Sequence, residues 1–236
     1  MAFNASKCCV VHFSVNNPET RYTLNGETIP CKANLGLSRD GDLDYNTHCD
    51  SLVVRGHQLC GSLFRGFSTR RHDILTFAYT TFIRPVLDFA ACVWSPRSLF
   101  NIHRLERIQR KFTKGLPGLH ATPYQDRLRI LNLDELTIRC LILDLRLLYK
   151  IVHALVDIRL DEIGLSINLN NTRAHGLRLV LPRPRTNILR SHFSYRVGHV
   201  WNQLPVNVIS APSFATFLTC LHTINSETLR GYLARP

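Results

Sequence analysis

The clearest chemical pattern in this sequence is a cluster of basic residues between positions 104 and 114. If the stretch is helical, five cations lie within one arc of about 80° or at its edge. These are Arg104, Arg107, Lys111 and Lys114, with Arg110 at the edge. Apolar positions 105, 108 and 112 fall on the opposite side, so one face would pack on a core while the other meets a phosphate backbone. An ordinary amphipathic helix with a solvated charged face is the alternative.

The charge balance also indicates an anionic partner. The chain has 29 basic and 17 acidic residues, a net charge of +12. Residues 51–130 hold 13 of the basic residues but 4 of the acidic ones. Most of these cations are arginines, whose planar fork of donors matches phosphate. Arg70 and Arg71, at the start of a predicted helix, are weaker candidates for phosphate contacts. The alternative interpretation of the basic excess is a basic protein whose arginine side chains cover apolar surface.

Patterns for metal binding and catalysis are incomplete. Cys49, His57 and Cys60 are suitable ligand types, but the chain lacks the Cys-x-x-Cys pair usual in structural zinc sites. The acidic stretch 40–44 lacks the later Gly and Glu of a calcium loop. There is no Walker loop, dinucleotide-binding glycine motif or nucleophile elbow, and no adjacent Asp pair that could hold two Mg²⁺ ions. We therefore predict no metal site, no catalytic residue and no cofactor.

The cellular setting follows from the cysteines and the N-terminus. Eight cysteines occur without a recognisable signal peptide, which favours reduced thiols and an intracellular protein, nuclear or cytoplasmic. No stretch approaches 18 uncharged apolar residues, so we expect neither a transmembrane segment nor a membrane partner.

The elements that would position the basic cluster are mainly helical. Asn25-Gly26, flanked by alternating residues, predicts a small antiparallel β element within residues 20–31. Pro85 should kink or split the second predicted helix. Apolar periodicity predicts helices over 47–66, 70–94, 98–114, 123–131 and 134–156, and two short helical or mixed pieces near 193–203 and 212–224. Residues 158–190, rich in Asn, Arg and Pro, are predicted to be a loop. The predicted fold class is therefore mainly α with a small N-terminal antiparallel β element.

About ten short phrases, in order along nearly the whole chain, carry a family resemblance. The most specific is Ile83-Arg84-Pro85-Val86-Leu87-Asp88-Phe89-Ala90, followed by Val93-Trp94-Ser95-Pro96. Others lie at 4–8, 22–26, 108–114, 115–119, 149–153, 172–175, 193–196 and 201–205. Together they resemble the region after the catalytic centre in reverse transcriptases of non-LTR retrotransposons (LINEs), closest to the jockey-like clade. Ala174 departs from the family's usual Gly, and Cys140 from its frequent Arg.

The resemblance implies a domain organisation and a function. It assigns residues 1–45 to a palm-end and primer-grip-like β segment. It assigns 46–118 to thumb-like helices that form a bundle, and 119–236 to a helical C-terminal region with an irregular loop at 158–190. In the family, the thumb contacts the template–primer duplex through phosphates, which carry no sequence information. The carboxylates that hold Mg²⁺ in the family would precede this chain. We thus expect a truncated, non-catalytic fragment of an RNA-directed DNA polymerase that binds RNA or DNA backbone.

Two other hypotheses remain open at this point. The chain could be a degenerate retroelement remnant with no selected activity, poorly folded without its palm. Its apolar faces would then be exposed and sticky, and a folded monomer would argue against this hypothesis. The chain could also assist a full-length polymerase by binding its RNA in trans, which would make the rest of a reverse transcriptase a partner.

Overall fold

The computed structural model describes residues 4, 7–10, 20–31, 45–96, 98–168, 176–181, 183–185, 189–190 and 192–233. Over these ranges the fold is mainly α, with two short antiparallel strand pairs. The predicted fold class is therefore confirmed. No helix within the same ranges is long and apolar enough to cross a membrane.

The N-terminal β element is the hairpin that Asn25-Gly26 predicts. β1 (Thr23–Leu24) pairs antiparallel with β2 (Glu27–Thr28). Asn25 and Gly26 both have positive φ, 54° and 83°. A two-residue hairpin turn needs this left-handed backbone to match the twist of its strands, and Asn and Gly adopt it at little cost. The remainder of segment 1–45 lies largely outside the described residues, so its assignment to a primer grip stays a prediction.

Six helices surround a first hydrophobic core. They are α1 (Asn46–Gly66), α2 (His72–Ala78), α3 (Arg84–Asp88), α4 (Ala91–Trp94), α5 (Leu99–Lys114) and α6 (Tyr124–Leu131). The core between them contains large side chains that solvent does not reach, among them Leu75, Tyr79, Ile108 and Phe112. The bounds of α1, α5 and α6 agree with the predicted helices at 47–66, 98–114 and 123–131 to within one residue.

The predicted helix over 70–94 is divided near Pro85. α2 continues into a π-helical turn, Tyr79–Ile83, and α3 then begins with Pro85 in its first turn. Proline has no N–H to donate to the preceding turn, so a widened turn and a new helix start accommodate it. A second break follows at Ala90, which has a left-handed φ of 51° and separates α3 from α4.

A second hydrophobic core forms around the long helix α7 (Leu136–Val152). Four shorter helices complete it: α8 (Phe193–Trp201), α9 (Val206–Ile209), α10 (Phe214–Thr223) and α11 (Ser226–Leu233). The start of α7 packs in the first core through Leu136 and Cys140, while Leu145 and Leu148 pack in the second. Helix α7 is therefore common to both cores. The domain boundary expected at 118/119 stays a prediction, although α6, which follows it, packs in the first core.

The predicted loop over 158–190 contains a short strand pair. β3 (Ser166–Ile167) pairs antiparallel with β4 (Leu179–Val180). The side chain of Asn202 accepts a hydrogen bond from the Leu179 N–H at 2.9 Å and donates one to the Leu179 carbonyl at 2.8 Å. The Asn202 amide thus provides hydrogen-bond partners for the backbone N–H and carbonyl of Leu179 that are not paired with β3. Two-residue strands are too short to show an alternating pattern, which is why the sequence did not indicate them.

Candidate nucleic-acid interface

Helix α5 carries the basic cluster and is anchored at its start and along its apolar side. The Ser98 side chain accepts a hydrogen bond from the Asn101 N–H, which caps the first turn. Leu105, Ile108 and Phe112 are all buried, as the helical period predicts. The opposite side of the same helix is consequently the side that remains available to solvent.

Packing against α1 and the π-helical turn fixes the rotation of α5 about its axis. A side chain at Gly56 would place its Cβ 2.7 Å from Ile108 Cδ1, so the two helices approach closely only because this residue is glycine. The Phe112 ring stacks on Tyr79 with centroids 4.3 Å apart and on Phe64 at 5.6 Å. Because these contacts hold one face in the core, the basic residues cannot turn inward.

Three of the predicted contact residues form an unpaired cationic surface. Arg107, Lys111 and Lys114 are exposed. None of them forms a salt bridge with any carboxylate in the part of the chain that the structure describes. Lys111 and Lys114 lie in the last turn, where they also interact favourably with the negative end of the helix dipole. We call Arg107, Lys111 and Lys114 the basic face of α5.

The other two basic residues of α5 are held by neighbours. Arg104 forms a salt bridge with Asp50 of α1, and only 27% of its side chain is exposed. Its charge is therefore partly offset. The guanidinium of Arg110, an exposed residue, lies 4.4 Å from the centroid of the Tyr124 ring at the start of α6. A cation over an aromatic face is attracted to it, so Arg110 is oriented by α6.

Arg70 and Arg71 lie near one another in sequence but differ in surroundings. Arg70 donates to the Phe64 carbonyl at 2.7 Å, and its guanidinium lies 6.0 Å from the Phe64 ring centroid. Phe64 itself packs against Gly115 at the end of α5, so Arg70 lies near the end of the basic face. Arg71 instead forms a two-bond salt bridge with Asp73, in which both side chains are exposed. Its charge is thereby offset.

Helix α1 adds a residue that the sequence did not indicate for this surface. Burial, then Lys111 and then Arg107 lower the pKa of His57 below its ordinary value. The last two effects place the imidazole within electrostatic reach of the basic face. Cys49 and Cys60, considered with His57 as zinc ligands, are buried in the first core. In the described ranges no group of three or more His, Cys, Asp or Glu residues is arranged to hold a metal ion.

The one acidic residue in the sequence of α5 is turned away from the basic face. Glu106 is buried, and its carboxylate accepts hydrogen bonds from the Tyr124 hydroxyl and from the Leu136 N–H at 2.9 Å. Burial raises the pKa of this carboxyl. Glu106 therefore fastens α6 and the start of α7 to α5, and it forms no salt bridge with the cations in the described part of the molecule.

Comparison of the chain with protein-family models, with curated proteins and with solved structures finds no match. The fold and the site define a mainly helical protein in which one anchored helix presents cations that have no carboxylate partner among the described residues.

Proposed function

We propose that this protein binds the phosphate backbone of nucleic acid through the basic face of α5, independently of base sequence. The observation that carries the proposal is the combination of exposure and anchoring. Arg107, Lys111 and Lys114 are exposed without carboxylate partners among the described residues, while the other side of the helix is fixed in the core. A row of cations on an anchored helix releases the counterions of a polyanion when it binds.

The resemblance supports a template–primer duplex as the ligand and a non-catalytic role for this chain. From residue 107 to residue 114 the helix rises about 10 Å, close to the rise of three nucleotides along one strand at about 3.4 Å each. This span covers about four phosphates of one strand, so three cations distributed along it can contact phosphates of the same strand. Such contacts position a duplex but do not read its bases.

A second candidate, a remnant with no selected activity, is favoured by a different observation. Several large apolar side chains are more than half exposed in the described part of the chain, with Phe77 at 70%. The others include Phe82, Phe89, Leu99 and Phe100. Exposed aromatic residues of this kind promote aggregation when no partner covers them. Size-exclusion chromatography of the purified chain separates the two candidates, because a remnant would elute as aggregates.

Salt-dependent binding tests the proposed function directly. A labelled RNA–DNA hybrid would be titrated with the protein at several salt concentrations, and binding followed by fluorescence anisotropy. We expect log affinity to fall with log salt with a slope of roughly −3 to −5. The triple variant Arg107→Gln, Lys111→Gln, Lys114→Gln should flatten this slope by about 2 to 3, since each lost phosphate contact removes about 0.7–0.9.

A charge-matched variant provides the control. Arg178, Arg183 and Arg185 are also exposed, but they lie in the sequence beside β4, away from α5. Changing these three to Gln lowers the net charge equally and should leave the slope within about 0.5 of the parent's. Equal slopes for the two triple variants would show that only net charge matters, and the assignment of the interface to α5 would be wrong.

A further inference from the structure

Arg127, on α6, is a buried cation with an unusual lack of partners. It is only 6% exposed, and its Nε and Nη1 atoms have no hydrogen-bond partner in the described structure. Arg196, also largely buried, pairs with the Asp144 carboxylate. Arg84 has one unpartnered atom, Nε, and donates to the Asp134 carbonyl at 3.4 Å, whereas Arg127 has two unpartnered atoms. Burying a charge without a hydrogen-bonded counter-charge is costly, so a partner for Arg127 is expected.

The Tyr124 ring partly compensates the burial of Arg127. The Arg127 guanidinium lies 5.4 Å from the centroid of this ring, within the range of a cation–π contact. Tyr124 and Arg127 are three positions apart on α6, so they lie on the same side of the helix. A cation–π contact satisfies none of the guanidinium N–H donors, so the buried Nε and Nη1 still lack an acceptor among the described residues.

A second guanidinium converges on the same ring. Arg110 of α5 lies 4.4 Å from the Tyr124 centroid, so two like charges share one aromatic platform. Neither Arg110 nor Arg127 has a carboxylate oxygen within salt-bridge distance among the described residues. The nearby Glu106 carboxylate is already engaged by the Tyr124 hydroxyl and the Leu136 N–H. The arrangement therefore lacks an anion with several acceptor oxygens.

We propose that Arg110, Tyr124 and Arg127 form a phosphate-binding site in which both guanidiniums bind one phosphate group and the tyrosine ring orients them. Arginine forks match phosphate oxygens in geometry and in charge. Arg110 lies on α5, the helix that carries the basic face. A nucleic-acid strand bound to α5 can therefore place one of its phosphates between Arg110 and Arg127. That the phosphate belongs to a nucleic-acid strand rests on the proposed function. That the site binds phosphate at all does not rest on it.

Thermal unfolding in inorganic phosphate tests the site without nucleic acid. A ligand that binds only the folded state stabilises it. At matched ionic strength, replacing chloride with phosphate should raise the Tm of the parent protein by about 2–4 °C, and Arg127→Met should lose at least about half of this shift. Arg129→Met is the matched control on α6, because Arg129 is exposed and paired with Asp126. It should retain the full shift.

The Arg127→Met variant is expected to fold. Methionine replaces an unsatisfied buried charge with an apolar chain of similar length, a change that is often neutral or stabilising. Its Tm in chloride alone should therefore be no lower than that of the parent. If phosphate raises the Tm of Arg127→Met as much as that of the parent, Arg127 does not bind phosphate and the proposal is wrong.

Hybrid binding separates this proposal from the function on which it rests. Arg127→Met should weaken binding of the RNA–DNA hybrid by about tenfold, and hybrids with and without a 5′-phosphate distinguish a terminal phosphate from an internal one. If the hybrid does not bind but phosphate protection depends on Arg127, the site stands and the nucleic-acid function is wrong. If the hybrid binds through the basic face and Arg127→Met changes neither its affinity nor phosphate protection, the function stands and the site is wrong.

Discussion

At the scale of single residues, His57 reports the electrostatic state of the basic face. Its pKa is lowered by burial and further by Lys111 and Arg107. Phosphates that cover these two cations would offset their effect, so the pKa of His57 should rise when nucleic acid binds. Affinity should then increase as pH falls from about 6.5 towards the lowered pKa, because the complex takes up a proton that free protein does not. Anisotropy titrations between pH 8 and 5.5 at constant salt measure this increase.

The variant His57→Gln supplies the control for this prediction. It should bind like the parent at pH 8 and should show a flatter pH dependence below 6.5. The lowered pKa of His57 also affects folding stability. Between the lowered pKa and 6.5, the unfolded chain binds more protons at this residue than the folded chain does. His57 therefore reduces the stability of the fold as pH falls through that range. Identical pH profiles of affinity for parent and variant would mean that no phosphate lies near His57.

The sequence predicted which residues of α5 are cationic and share a face, because the helical period alone determines that. It did not predict the partner of Arg104, since Asp50 lies 54 positions away and meets it only through the way α1 crosses α5. The burial of Arg127 was not predicted for the same reason. Charge is a local property of a sequence, whereas pairing and exposure depend on contacts between distant segments.

At the scale of elements, the basic face depends on the close crossing of α1 and α5. We expect Gly56→Ala to reduce the free energy of unfolding by about 1–2 kcal/mol. The new methyl group would lie 2.7–3.3 Å from three carbons of the buried Ile108 side chain, and this overpacking outweighs the gain in helix propensity of about 1 kcal/mol. Urea unfolding followed by circular dichroism measures the change.

Gly61 is the matched control on the same helix. Its added Cβ would meet only the exposed Arg65 guanidinium, at 3.2 Å, which is flexible and can move away. Gly61→Ala should therefore stabilise the protein by about 0.5–1 kcal/mol through helix propensity. A stabilising Gly56→Ala would contradict the close helix crossing.

The sequence predicted the long elements better than the short ones. Twenty-one residues of α1 display several helical periods, whereas α9 has four residues and was not predicted. Helix α11 was also not predicted. The predicted helix over 134–156 ends four residues earlier in the structure, at Val152, because Ala154 adopts a left-handed φ of 52° that no local residue preference indicates. Tertiary packing, rather than periodicity, determines such ends.

At the scale of the whole molecule, a buried ion pair between Asp144 and Arg196 links the two cores. Asp144 on α7 is only 1% exposed, and Arg196 on α8 reaches its two oxygens at 2.7 and 3.1 Å. The same guanidinium donates to the Cys92 carbonyl on α4 at 3.1 Å, so a residue of the second core bonds to a helix of the first. Together with the shared helix α7, this contact should make the two cores unfold in a single transition.

Removing one partner of this pair should be strongly destabilising. We expect Arg196→Met to reduce the free energy of unfolding at pH 7 by about 3–5 kcal/mol, because it leaves a buried carboxylate without its counter-charge. Burial raises the pKa of Asp144 and Arg196 lowers it, so the pKa should rise further in the variant. The fold of the variant then tolerates the Asp144 carboxyl better when it is protonated. The stability that Arg196→Met loses relative to the parent should therefore shrink between pH 7 and pH 5.

The double variant Asp144→Leu, Arg196→Met separates charge burial from packing. Replacing both partners by apolar side chains removes the uncompensated charge, so this variant should be more stable than Arg196→Met alone, and its loss of stability should not shrink between pH 7 and pH 5. Arg159→Met is the control for loss of exposed ion pairs, since Arg159 pairs with both Asp161 and Glu162, and it should cost less than about 1 kcal/mol. If Arg196→Met also costs less than about 1 kcal/mol in urea unfolding, the ion pair does not hold the two cores together.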